Sequence, residues 1–106
     1  MNKIALFPGS FDPFTKGHEF IVSQGLEIFD EIIIGIGINT EKKYLFDIEK
    51  RIKHIEQIYC NENRVSIKRY TGLTVEFCKE VSASHILRGL RNSIDFEYEK
   101  SIAQMN

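Results

Sequence analysis

The chain has 106 residues with a formal net charge of −1, and it is 42% hydrophobic and 27% charged. That length fits one domain with one modest core, and that balance excludes a disordered chain. A charge so near zero also excludes a global basic field for nucleic acid, so any anion site must be local.

From the N-terminus, Lys3 to Phe7 reads as a short buried strand, because Ile4, Ala5, Leu6 and Phe7 are continuous and apolar. Gly9 to Thr15 is loop, punctuated by Pro8, Gly9, Asp12 and Pro13. From Gly17 to Phe29 the residues Ile21, Val22, Gly25, Leu26, Ile28 and Phe29 fall on one helical face. "EIIIGIGI", Glu31 to Ile38, reads as a buried parallel strand. Asn39 to Phe46 is a polar loop with Lys42 and Lys43, and Asp47 caps a second helix carrying Ile48, Ile52, Ile55 and Tyr59. Arg64 to Tyr70 alternates as a third strand, and Thr74 caps a third helix over Val75 to Val81. His85 to Leu87 is a fourth strand and "RGLRN" a loop; Ser93 then opens a last helix with Ile94, Tyr98, Ile102 and Met105 on one face.

No stretch approaches 18 apolar residues, and the run Ile4 to Phe7 is too short for a signal-peptide core, so the expected location is the cytoplasm. The two cysteines, Cys60 and Cys78, have no CxxC or metal-type spacing and are expected to be reduced thiols.

The order β-α-β-α-β-α-β-α predicts an α/β, Rossmann-like doubly wound parallel sheet with helices on both faces. Ligands of such sheets bind at the carboxyl ends of the strands. Four loops leave those ends: Pro8–Lys16, Asn39–Phe46, Thr71–Leu73 and Arg88–Asn92. With the start of the first helix they bring His18, Lys42, Arg88 and Arg91 to one rim. A helix opening at Gly17 presents unpaired N–H groups and a partial positive charge, favourable to an anion by about 0.3–1 kcal/mol. Gly9 and Gly17 admit a bulky oxyanion, Ser10 and Thr15 offer hydroxyls, and the arginines can bind phosphate in bidentate fashion. The rim is a phosphate site, yet it contains neither GxGxxG nor GxxxxGK[ST].

"GSFDPFTKGH", Gly9 to His18, resembles the N-terminal signature of the nucleotidylyltransferase superfamily, whose [HT]xGH motif is here Thr15-Lys16-Gly17-His18. "LRGLRNSIDFEYE" and "TGLTVEF" are similar to segments of the phosphopantetheine adenylyltransferase family, and the resemblance runs from Ile4 to Asn106. It implies a single nucleotidylyltransferase domain over residues 1–106 that transfers the adenylyl group of ATP to 4′-phosphopantetheine. The products would be dephospho-coenzyme A and pyrophosphate, formed by direct in-line attack with Mg²⁺ in a homohexamer, a dimer of trimers. Carried over residue by residue, His18, Lys42 and Arg88 would be catalytic. Ser10, Phe11, His18, Gly89, Leu90, Arg91 and Glu99 would bind ATP, and Ser10, Lys42, Thr74 and Arg88 would bind phosphopantetheine. Metal ligands stay unassigned.

Some alternatives remain open in the residues themselves. His18 can act as a helix cap, Lys42 and Lys43 as a solvated pair, and Glu99 as a plain surface carboxylate. Arg88 and Arg91 can pair with Asp95 or Glu97. Asp12 can bind metal or stabilise its loop through an Asx-type turn. His54 and His85 are expected to be structural or exposed. Phe7 and Ser10 stand where tyrosine and threonine are common in the family. Family members continue with a strand and an ISSS motif that grips the ATP phosphates; no "SSS" or "ISS" occurs in this sequence, so the domain is expected to be truncated and to turn over poorly. Two rival functions are another nucleotidylyltransferase, acting on nicotinamide mononucleotide or glycerol 3-phosphate, and a catalytically incomplete nucleotide-binding domain.

Overall fold

The computed structural model describes residues 3–39, 41–89 and 94–98. Its elements in chain order are β1 (Ile4–Gly9), α1 (Lys16–Leu26), β2 (Glu31–Gly37), α2 (Ile48–Ile58), β3 (Val65–Tyr70), α3 (Thr74–Glu80), β4 (His85–Gly89) and β5 (Ile94–Tyr98). The sheet order is β3-β2-β1-β4-β5. The first four strands are parallel, with Ile4 opposite Glu31, Ala5 opposite His85 and Ile32 opposite Val65.

Alternation along each strand divides the core between two faces. Ala5, Phe7, Ile32, Ile34, Ile36 and Leu87 point to the side covered by α1 and α2, where Val22 and Ile55 join them. Leu6 and Ile33 point to the other side and meet Phe77 and Cys78 of α3. The side chains of Leu6, Val22, Ile32, Ile34, Ile36, Ile55 and Leu87 are fully buried. Each contributes roughly 1.5–3 kcal/mol relative to an exposed position. Gly25 lets α1 lie close to the sheet, since a Cβ there would meet Ile32 Cδ1 at 2.8 Å and Leu87 Cδ2 at 3.0 Å.

The doubly wound reading holds for the first four strands, with the reversal of strand order between β1 and β4. Several boundaries differ from the sequence expectation. β1 runs on through Pro8 and Gly9. The Ile4 carbonyl faces β4, where it accepts from Ser84 N, so by alternation the Pro8 nitrogen faces β4 too and removes no bond from the β1–β2 ladder. α1 stops at Leu26, where the Gln24 and Gly25 carbonyls accept from the Glu27, Ile28 and Phe29 amides; Phe29 is nonetheless buried. Thr74 is the first residue of α3 and not its cap: Leu73 is the N-cap and supplies no side-chain bond.

The largest correction concerns the expected fourth helix. Ile94–Tyr98 is a strand, β5, antiparallel to β4 with Gly89 opposite Ile94 and His85 opposite Tyr98. The sequence "IDFEY" alternates apolar and acidic residues, which suits a strand. The spacing that suggested a helix, Ile94 to Tyr98, is an even number of residues and fits either period. Ile102, Met105 and the capping Ser93 lie outside the described residues.

Candidate active site

The site is built from the turn between β1 and α1. Gly9 has no side chain because the Phe11 ring folds back over it; a Cβ at Gly9 would lie 2.9 Å from Phe11 Cζ. Phe11 itself holds a positive φ of 49°. That left-handed conformation is unusual for an aromatic residue and stores strain that its packing must offset. The ring is 4% exposed and lies edge-on to Phe7 at 5.1 Å, with Phe14 5.2 Å away. Together these rings form an apolar seat for the imidazole of His18, with centroid separations of 6.0 Å to Phe7, 5.0 Å to Phe11 and 5.2 Å to Phe14.

His18 also completes the start of α1. The Thr15 hydroxyl accepts from the His18 amide, and the Thr15 amide donates to His18 Nδ1 at 2.8 Å. This is a capping box in which histidine takes the place usually held by Glu or Gln. The arrangement fixes the tautomer. A main-chain N–H can only donate, so Nδ1 carries no proton and the neutral ring carries its hydrogen on Nε2. Burial holds the His18 pKa below its usual 6.5. His18 is therefore both a helix cap and a neutral donor, and the two roles use opposite ring nitrogens.

The second turn, between β2 and α2, carries Lys42. It is exposed; its amide donates to Asn39 O at 3.1 Å and its Nζ stands 5.8 Å from the Tyr44 ring centroid. The Asp12 carboxylate reaches from its own loop to the second turn. Its two oxygens accept the Leu45 and Phe46 amides, the latter at 2.7 Å, so Asp12 stitches the first turn to the second. Asp47 caps α2 as expected, accepting from the Lys50 amide at 2.9 Å.

Two residues of α2 that sequence reasoning passed over or left as structural grip the first turn. Arg51, 4% exposed, donates to the carbonyls of Phe46 and Ser10; His54 Nε2 donates to Phe14 O at 3.2 Å. Beneath them lies a cavity of about 280 Å³ lined by Phe11, Pro13, Phe46, Lys50, Arg51 and His54.

Thr74 opens α3 beyond the end of β3, its hydroxyl 2.9 Å from that of Tyr70, whose ring stacks on Phe77. Arg88 is exposed near the carboxyl end of β4, and Gly89 ends that strand. Parallel pairing of β1 with β4 puts Arg88 at the same end of the sheet as Ser10, Phe11 and His18. Ser10, Phe11, His18, Lys42, Thr74, Arg88 and Gly89 thus share the carboxyl rim. Leu90, Arg91 and Glu99 lie outside the described residues. His85 is at the opposite end, bonded through Nδ1 to Ser84 Oγ at 2.7 Å. Cys60 and Cys78 are free thiols; burial pushes Cys78 up to about 11, which leaves it unreactive. Among the described residues no group of three metal-ligating side chains occurs, and no helix is long and apolar enough to cross a membrane.

A doubly wound sheet with a neutral histidine donor and two cations at its switch-point rim defines a nucleotide-handling domain. The family Cytidylyltransferase-like matches residues 6–106. A phosphopantetheine adenylyltransferase of Christiangramia forsetii is 54% identical over 98% of this chain and 69% of its own length. That of Cytophaga hutchinsonii is 54% identical over all of this chain and 71% of its own. A solved structure, the bifunctional NMN adenylyltransferase/ADP ribose pyrophosphatase of Francisella tularensis, has a TM-score of 0.59 at 28% identity, over 76% of this chain and 25% of that one. The same enzyme complexed with AMP and a manganese ion gives 0.55 at 26% identity, with the same coverage. The chain belongs to the phosphopantetheine adenylyltransferase family, within the cytidylyltransferase-like group, and spans about two thirds of the length of those relatives.

Proposed function

We propose that the chain transfers the adenylyl group of ATP to 4′-phosphopantetheine, giving dephospho-coenzyme A and pyrophosphate. The observation that carries this reading is the 54% identity to enzymes of that name along nearly the whole chain. The site supplies the chemistry. An oxygen of the acceptor phosphate attacks the α-phosphorus of ATP, the bond to the bridging oxygen breaks, and pyrophosphate leaves. No covalent enzyme intermediate is needed, so catalysis rests on positioning and on fixed electrostatics. His18 Nε2–H donates to an α-phosphoryl oxygen as charge builds there. Because the ring is neutral with Nδ1 occupied, it acts as a hydrogen-bond donor that loses no proton. Lys42 and Arg88 hold the acceptor phosphate and relieve its repulsion with ATP. Ser10 and the Phe11 backbone lie between the two substrates, and Thr74 flanks the pantetheine arm. Gly89, Leu90, Arg91 and Glu99 bind ATP.

Mg²⁺ would arrive on the ATP phosphates, since this ion favours substrate oxygens and retained waters over a protein cage. Both Asp12 carboxylate oxygens already accept backbone amides, and no metal role is assigned to it. Assembly into a hexamer would cover Phe20 and Ile28, which are 59% and 50% exposed. The reaction belongs in the cytoplasm, where its phosphorylated substrates are held. A relation to NMN adenylyltransferases at 28% identity makes nicotinamide mononucleotide the weaker acceptor.

The test is single-turnover transfer from α-labelled ATP, which detects slow reaction, with phosphopantetheine, nicotinamide mononucleotide and glycerol 3-phosphate as parallel acceptors. Labelled dephospho-coenzyme A only from phosphopantetheine is expected. Product from another acceptor, or none together with no phosphopantetheine binding by calorimetry, overturns the reading.

A further inference from the structure

Arg51 is a charged residue in the apolar stripe of α2, and its burial to 4% exposure requires that the guanidinium be satisfied. Among the described residues its partners are not carboxylates. Nε donates to Phe46 O at 3.0 Å, Nη1 donates to Ser10 O at 2.8 Å, and the guanidinium carbon lies 4.2 Å from the Tyr44 ring centroid. Phe46 belongs to the turn after β2 and Ser10 to the turn after β1. One rigid fork therefore spans the two turns through two separate nitrogens, a fixed separation that the three donors on lysine's one nitrogen do not reproduce.

The same two turns carry the groups that handle phosphate. Ser10 precedes Phe11, whose ring seats His18. Tyr44, under the guanidinium, also lies 5.8 Å from Lys42 Nζ, and its hydroxyl accepts the Asn39 amide at 2.9 Å. The Phe46 residue is pinned on both sides, its amide by Asp12 and its carbonyl by Arg51. Close packing alone does not set the separation of the turns here, because Phe11 and Pro13 of the first turn and Phe46 of the second all line the cavity of about 280 Å³. Polar links set it, the Arg51 fork together with the Asp12 carboxylate.

We propose that Arg51 is a positioning residue that registers the Lys42 turn against the Ser10–Phe11 turn, so that the acceptor phosphate and the α-phosphate meet in line. Its effect on turnover rests on the adenylyl-transfer reading; its effect on the turns does not.

The experiment compares the full chain with Arg51→Met, which keeps the apolar stem, and Arg51→Lys, which keeps the charge. Each is studied below its own melting temperature. Misplacing a reactive group by about 1 Å costs about 10²-fold, so Arg51→Met should lower kcat by that order while the KM for ATP stays within about threefold. Arg51→Lys should recover only part of the loss. Lys42→Ala should cost less in the Arg51→Met background than in the parent, because the lysine is already displaced. Independently of activity, the Leu45 and Phe46 amides of Arg51→Met should exchange hydrogen about tenfold faster, with those of Ile32 to Ile36 unchanged. Unaltered exchange at Leu45 and Phe46, or strictly additive losses for Arg51→Met and Lys42→Ala, overturns the proposal. A parent chain that makes no dephospho-coenzyme A and binds no phosphopantetheine overturns the adenylyl-transfer reading instead, and the exchange rates alone then decide the role of Arg51.

Discussion

The rim has two unlike halves. At the turns after β1 and β2, polar side chains hold the backbone at almost every step. Thr15 and His18 cap α1, Asp47 caps α2, and Asp12, Arg51 and His54 fix the loop atoms between them. At the turn after β3, α3 begins without a side-chain cap, the Thr74 hydroxyl pairs with Tyr70, and Leu73 is left 67% exposed. The difference follows what each half would hold. A phosphoryl group in reaction needs donors fixed in advance, because its charge changes in place. A flexible arm that does not change charge in the reaction needs fewer fixed donors, and exposed leucine supplies surface for its methyl and methylene groups.

The sharpest way to break this comparison is His18→Ala. If the first half works by preorganised donation, kcat should fall by about 10²–10³-fold, the loss typical of one oxyanion donor. The alanine also removes the acceptor of the Thr15 amide, so melting should be recorded alongside. A pH series separates the two effects. The folded pKa of His18 is lowered, so the unfolded chain takes up its proton first as the pH drops below 6.5. This contribution to stability is present above pH 6.5 and is lost as the pH falls toward the folded value. In the parent, denaturant midpoints should decline over that window. In His18→Ala that share of the decline should vanish.

Asp12→Ala comes next. It leaves the Leu45 and Phe46 amides without their acceptor and should destabilise the fold by about 1–3 kcal/mol, measured by urea titration. Turnover should drop together with stability, since the Lys42 turn is released. Full retention of activity would mean that the first half is not held rigid for catalysis.

At the second half, Leu73→Ser should leave the melting temperature almost unchanged, because exposed substitutions usually stay within about 0.5 kcal/mol. The KM for phosphopantetheine should instead rise by about three- to tenfold, reflecting roughly 1 kcal/mol of lost apolar contact. An unaltered KM would place the arm elsewhere and dissolve the contrast between the two halves.

How much of this was legible in the sequence depends on the range of the signal. The Thr15–His18 pairing is local, three residues apart, and showed in the TxGH motif. The convergence of His18, Lys42 and Arg88 followed from topology once four parallel strands were counted, whereas Thr74 entered the site only through the family resemblance. Arg51 was missed, although a signal existed. Ile48, Arg51, Ile52, Ile55 and Tyr59 share one helical stripe, and an arginine among them must find buried acceptors. Those acceptors are main-chain carbonyls five and 41 residues away, which no residue pattern records. The cap of α3 was misread for a similar reason, since Tyr70 draws off the Thr74 hydroxyl. At Ile94–Tyr98 an even spacing served both periods, and pairing with the edge of β4 decided between them.

The smallest expected effect tests the one exception in the well-satisfied half. Tyr59 follows α2, with its ring edge-on to Phe14 at 6.0 Å. Its hydroxyl is buried with no hydrogen-bond partner among the described residues, and burial together with the Glu19 carboxylate pushes its pKa up to about 12. Tyr59→Phe keeps the ring contact and removes only the unpaired oxygen. Removing an unsatisfied polar group without a cavity should stabilise the fold by roughly 0.5–1 kcal/mol in urea titration. The phenol stays protonated well above neutrality, so the gain should be the same at pH 6 and pH 9. A loss of stability would show that the oxygen has a partner after all, and the first half would then be satisfied without exception.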